Sequence, residues 1–125
     1  MEKTKILIVE DEMISAAALR SDLKNRGYEV CALASTGKKA IQIAEAEHPD
    51  VVLMDVRLRG EMDGIEASKE ILSRVGAPSI FMSGYSIEAV KKRMGSAESF
   101  RLISKPVETE DVKEAIDSIL RERKV

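Results

Sequence analysis

The chain has no tryptophan, and aromatic residues fill only 3% of its 125 positions. Any hydrophobic core must therefore be assembled from Ile, Val, Leu, Ala and Met. Its single cysteine, Cys31, excludes an internal disulfide and any C-x-x-C zinc pattern. Standing in the apolar run VCALA, Cys31 reads as a buried packing residue. The single histidine, His48, cannot support a histidine metal cluster; before Pro49 it reads as a surface or capping residue. Charge of one sign is also missing. With 20 basic and 22 acidic residues the formal net charge is −2, which leaves no footprint for nucleic acid or an anionic membrane. No apolar run approaches the ~20 residues of a membrane span. The opening MEKTKILIVE is too short in its apolar part to be a signal peptide and ends in acid. These absences lead to the expectation of one cytoplasmic domain over residues 1–125, with no nucleic-acid or membrane partner.

What is present is an alternation. ILIV (6–9), VVLM (51–54) and SIFM (79–82) are short continuous apolar runs, with weaker ones at YEVCALA (28–34) and RLIS (101–104). Such runs suit parallel strands covered on both faces. Between them apolar residues recur at helical spacing: Ala16, Leu19 and Leu23; Ala40, Ile43 and Ala44; Ile65, Ile71 and Leu72; Ile87, Val90 and Met94; Val112, Ala115, Ile116 and Ile119. Gly27 is placed to cap the first helix, Pro49 ends the second, and Thr109 with Glu110 and Asp111 supplies a cap and acidic first turn for the last. Five strands alternating with five helices predict an α/β doubly wound fold, a parallel sheet with helices on both faces. In such sheets ligands sit beyond the carboxyl ends of the strands.

At those ends stand chemically useful groups. Glu10-Asp11-Glu12 follows the first strand, Asp55 the third, Ser83-Gly84 the fourth and Lys105-Pro106 the fifth. Carboxylates held ~5 Å apart at an effective dielectric near 20 repel by roughly 3 kcal/mol per pair. A hard divalent cation relieves that, and Mg²⁺ suits a few carboxylates with water and phosphate. Glu10, Asp11 and Asp55, with the backbone carbonyl of Arg57, are the candidate ligands. Aspartate also forms acyl phosphates, so Asp55 is a candidate nucleophile. Lys105 would neutralise charge, Ser83 would hydrogen-bond a phosphoryl oxygen, and Gly84 would let backbone N–H groups approach it. Each residue alone has a plainer reading. Glu10 to Glu12 is an acidic helix start with Asp11 as cap, Asp55 opens a loop, Ser83 is a turn residue and Lys105 is solvated. Lys91-Lys92-Arg93 reads as a solvated helix face. Their joint placement at four strand ends favours a site.

The pieces ILIVEDE, VVLMDVRL, MDGIEA, IFMSGYS and ISKPV, in this order and spacing, resemble the response-regulator receiver domain of two-component signalling, over about residues 5–123. The resemblance implies a flavodoxin-like (βα)5 three-layer sandwich with strand order 2-1-3-4-5. It implies a phosphoacceptor at Asp55, served by a sensor histidine kinase or phosphotransfer protein, and Mg²⁺ on Glu10, Asp11, Asp55 and the Arg57 carbonyl. It assigns Ser83 to the hydroxyl switch, with Gly84 beside it, and Lys105 to the ion-pairing lysine. A cis Lys105–Pro106 bond is implied too. By the same analogy, a surface of the fourth helix, fifth strand and fifth helix (86–94 and 101–121) meets a downstream protein. The protein would be a signalling phosphoacceptor rather than an enzyme, monomeric or dimerising on phosphorylation. Three departures stand out. RLRGEMDG lacks the usual proline and looks one residue longer. Leu102 fills a gate position that is often aromatic. The acidic pair is Glu-Asp rather than Asp-Asp. Three rivals share features of the chain. An aspartyl-phosphate phosphatase would want D-x-D after the first strand, and residue 57 is Arg. A flavodoxin-like cofactor binder would not carry the acidic EDEM. A receiver that only docks would not need the full acid set. The closing RERKV fits a natural terminus or the start of a helical linker.

Overall fold

The apolar runs become strands because both faces of each are covered. The computed structural model describes residues 3–95 and 100–123. In chain order the elements are β1 (Lys5–Val9), α1 (Met13–Asn25), β2 (Glu29–Ala34), α2 (Gly37–Glu47), β3 (Val51–Asp55), α3 (Gly64–Val75), β4 (Ser79–Ser83), α4 (Ile87–Met94), β5 (Phe100–Ser104) and α5 (Thr109–Arg123). The strands form one parallel sheet in the order β2-β1-β3-β4-β5. Side chains alternate across it, so each strand feeds two cores. Leu7, Val9, Val52, Met54 and Phe81 face α2, α3 and α4 through Ala40, Ala44, Ile71, Val90 and Met94. Ile6, Ile8, Leu53, Ile80 and Met82 face α1 and α5 through Ala16, Leu23, Val112, Ile116 and Ile119. The result is the doubly wound three-layer sandwich.

The register places the site. Val9 lies beside Met54, Asp55 beside Met82, and Ser83 beside Ser104. The residues that end β1, β3, β4 and β5 therefore share one edge of the sheet, as the alternation requires.

Several local expectations shift. Arg26 caps α1, and Gly27 follows it with φ +95°, the left-handed region that glycine enters without strain. Thr109 is the first residue of α5 rather than its cap. The N–H groups of Asp111 and Val112 reach the Glu108 carbonyl, and the Thr109 hydroxyl instead donates to Asp22 on α1. In α2 the buried isoleucine is Ile41, while Ile43 is half-buried. Ile87 leaves the α4 stripe at 43% exposed. Cys31 is half-buried, because β2 is an edge strand with one open side. Burial still pushes its thiol above the ordinary range. His48 is exposed and closes α2 in a left-handed conformation (φ 49°), its N–H donating to the Ala44 carbonyl. Of RERKV, Lys124 and Val125 lie outside the described residues.

Candidate functional site

Glu10 follows the apolar run Ile6–Val9 of β1, and its N–H donates to the Ala34 carbonyl at 2.9 Å, which extends the strand's pairing by one residue. Asp55 is the last residue of β3 rather than the first of a loop. Each of Glu10, Asp55 and Ser83 is less than a tenth exposed. Asp11 is half-buried. It does not cap α1: Glu12 holds that position and makes no side-chain cap bond. Carboxylate oxygens of Glu10, Asp11 and Asp55 lie within 4.8 Å of one another. An all-oxygen set on a rigid floor fits a hard divalent cation.

The charge balance can be followed residue by residue. Lys105 Nζ lies 2.9 Å from Asp55 Oδ2 and 3.9 Å from Glu10 Oε2. The other Asp55 oxygen, Oδ1, accepts the N–H of Arg57 at 3.1 Å. One lysine does not neutralise three carboxylates. Burial, then a hydrogen bond to Asp55 and the charges of Asp55 and Asp11, push the Glu10 carboxyl up to about 8, against the pull of Lys105. Burial and the neighbouring carboxylates thus favour the protonated form of Glu10. Burial works to lower Lys105, but Asp55 and Glu10 outweigh it and hold the ammonium above the ordinary lysine range. A cation in this pocket would take the place of the Glu10 proton.

Ser83 and Lys105 are tied through the backbone, the Lys105 N–H donating to the Ser83 carbonyl at 3.0 Å. The Lys105–Pro106 bond is cis. The Ser83 hydroxyl accepts the Tyr85 N–H at 2.8 Å, a local turn that occupies its acceptor side. Gly84 is exposed, and a Cβ there would meet nothing within 4 Å, so no protein contact demands glycine. Leu102 is half-buried on β5 beside Phe81 and packs on the α4 side of the sheet. Lys91, Lys92 and Arg93 are exposed on α4, and Arg93 pairs with Asp63 at 2.6 Å.

Four features of the site lie outside the sequence reading. Gly64 opens α3 hard against β3: a Cβ there would collide with the Asp55 carbonyl oxygen and sit 2.9 Å from its carbon. The only sequence signal for that was the Asp-Gly step before an apolar stripe. Asp63 caps α3 in a reciprocal box with Glu66. Arg57 reaches across to the β4–α4 connection, where Nε donates to the Tyr85 hydroxyl at 2.9 Å and the guanidinium lies 5.6 Å from the ring centroid. Arg59 Nε lies 3.6 Å from Asp11 Oδ2. The last two depend on residues that only the fold brings together, so no sequence signal pointed to them.

A doubly wound sheet that carries an acidic pocket and a lysine at its carboxyl edge is the arrangement of a receiver. The family model for the response regulator receiver domain matches residues 6–117, and the chain belongs to that family. It is 34% identical over 113 residues to the transcriptional regulatory protein PdtaR of Mycobacterium tuberculosis, covering 90% of this chain and 55% of that protein. It is 31% identical over 119 residues to the chemotaxis protein CheY of Listeria monocytogenes, covering 90% of this chain and 95% of CheY. Among solved structures, the signal receiver domain of a modulated diguanylate cyclase from Desulfovibrio desulfuricans G20 superposes with a TM-score of 0.89 at 28% identity, covering 98% of each chain. The chain spans about half the length of PdtaR. Receivers are phosphoacceptors of two-component signalling that bind Mg²⁺ at an acidic pocket and meet histidine kinases and downstream proteins. Among the described residues no helix is long and apolar enough to cross a membrane.

Proposed function

We propose that this chain is a phosphoacceptor whose Asp55 carboxylate takes a phosphoryl group from a sensor histidine kinase or phosphotransfer protein. One observation carries the reading. Asp55 is 3% exposed at the end of a rigid strand, with Lys105 on one oxygen and two further acids within ligand distance. An oxygen of Asp55 attacks phosphorus, the P–N bond to the donor imidazole breaks, and the imidazole nitrogen keeps the electron pair. Glu10, Asp11, Asp55 and the Arg57 carbonyl would hold Mg²⁺, which when bound neutralises charge on the transferring group. Lys105 then pairs with the phosphoryl oxygens. Ser83 and the 84–86 loop move to meet the phosphoryl oxygens, the Ser83 hydroxyl donates a hydrogen bond to one of them, and Gly84 leaves the approach open.

That movement biases α4, β5 and α5 toward a second packing, and a downstream protein with differential affinity reads the surface at 86–94 and 101–121. Leu102 offers no aromatic ring to this step. Residues 1–125 act as one receiver domain in the cytoplasm, a phosphoacceptor with slow self-dephosphorylation rather than an enzyme, monomeric or dimerising on phosphorylation. The test is intact-mass measurement after incubation with Mg²⁺ and a small acyl-phosphate donor. Wild type gains one phosphoryl group and Asp55→Asn gains none. No gain in folded wild type with a working donor overturns the proposal. Release of many phosphates per chain would point to a phosphatase instead.

A further inference from the structure

The connection from β3 to α3 (56–63) is anchored at two points. Leu58 and Met62 are both partly buried against the core under α2 and α3. Met62 fits over Gly37, where a Cβ would approach its side chain to 3.1 Å. Between the anchors, Arg59, Gly60 and Glu61 are exposed. The segment is still not free. Arg59 pairs with Thr36 in an isolated parallel bridge, and Gly60 turns the chain with φ +100°. The backbone therefore fixes where the Arg59 side chain begins, beside the mouth of the acidic pocket. Its guanidinium meets Asp11, with Nε 3.6 Å from Oδ2.

The cations are divided between the acids. Lys105 pairs with Asp55 and Glu10 from the β5 side. Among the described residues, the ion pair of Asp11 is with Arg59, from the opposite side. A divalent cation that enters leaves Lys105 near the phosphoryl position but draws on the same Asp11 carboxylate that Arg59 pairs with. A dication there also repels a guanidinium a few ångströms away.

We propose that Arg59, though its side chain is 83% exposed, is a counter-ion of Asp11 that competes with a divalent cation and thereby lowers the cation affinity of this receiver. The inference rests on the reading of Glu10, Asp11 and Asp55 as the cation site. Arg59 is a positioning residue, since it acts on the ligand Asp11 and not on the reacting atoms. The consequence is a coupling: cation binding releases the Arg59 side chain from Asp11, while its backbone stays bridged to Thr36.

An exposed pair of this kind shifts an equilibrium by at most about 5-fold. Arg59→Ala is accordingly expected to bind Mg²⁺ roughly 2- to 5-fold more tightly than wild type by isothermal titration at low salt. The gap should close near 1 M monovalent salt, where the screening length is about 3 Å. Arg74→Ala is the charge-matched comparison. It removes one positive charge from the cleft that Arg59 also lines, but its partners are Glu45 and Glu70. It should leave the affinity unchanged. Equal tightening in both variants overturns the inference, because the effect is then the general field of the protein. No tightening in Arg59→Ala overturns it as well, while the site itself stands. Absence of Mg²⁺ binding in wild type overturns the inference together with the reading of the site.

Discussion

Raising the pH should load the acidic pocket with Mg²⁺, and Glu10 sets where. Without a cation its carboxyl is pushed up to about 8 from an ordinary 4.5, by burial and by its neighbours Asp55 and Asp11. Cation binding needs the carboxylate, so it must expel that proton. The proton released per Mg²⁺ should be roughly 0.9 at pH 7 and roughly 0.1 at pH 9. Apparent affinity should rise about tenfold per pH unit up to 8 and then level off. Isothermal titration in buffers of different ionisation enthalpy counts the protons directly. Stability carries the same signature. Because the folded value is raised, the folded protein holds a proton that the unfolded chain has given up. The stability so gained is whole below pH 4.5 and is lost as pH rises through 8. At ~1.4 kcal/mol per unit the loss is bounded by roughly 5 kcal/mol. Saturating Mg²⁺, or Glu10→Gln, should flatten that slope in urea melts. A proton count near zero at pH 7, or a Mg²⁺ affinity flat from pH 6 to 9, would refute the assignment of the proton to Glu10.

Other perturbations test the frame around the site. Gly64→Ala drives a methyl into the Asp55 carbonyl and should cost about 1–3 kcal/mol in urea denaturation; an unchanged midpoint would mean that α3 does not press on β3. Asp63→Ala removes the α3 cap, worth about 1 kcal/mol, together with the pair to Arg93, whereas Asp63→Asn keeps a capping oxygen and should lose markedly less. Equal losses in the two Asp63 variants would contradict the cap. Lys105→Ala should destabilise by about 1–2 kcal/mol at neutral pH, through the lost hydrogen bond to Asp55. It should still take a phosphoryl group but show no chemical-shift change in α4, and a wild-type α4 response would remove Lys105 from the switch.

The fold was readable because its strands are buried on both faces. ILIV, VVLM and SIFM carry no alternation that would fit a sheet with one wet side, and all three lie in the interior of the sheet order. The edge is where reading weakened. In β2 the residues from Val30 to Leu33 are only half-buried, so VCALA misled about Cys31. Thr109 looked like a cap because the Thr-Glu-Asp pattern is local, yet its hydroxyl answers to Asp22, 87 residues away. The groups at the strand ends could be listed from the sequence because parallel strands point one way. What they touch could not. Arg57 with Tyr85, Asp63 with Arg93 and Arg59 with Asp11 are contacts of side chains far apart in the chain, and no periodicity encodes them.

The central claim is that Asp55 carries the phosphoryl group. It is tested most directly by treating the protein with a small acyl-phosphate donor and Mg²⁺, reducing the product with borohydride, and sequencing the peptide that spans β3 by mass spectrometry. Borohydride converts an aspartyl phosphate to homoserine. Homoserine at position 55, dependent on both donor and Mg²⁺, is the result this account predicts. An adduct at any other residue, or none in folded protein with an active donor, would contradict it.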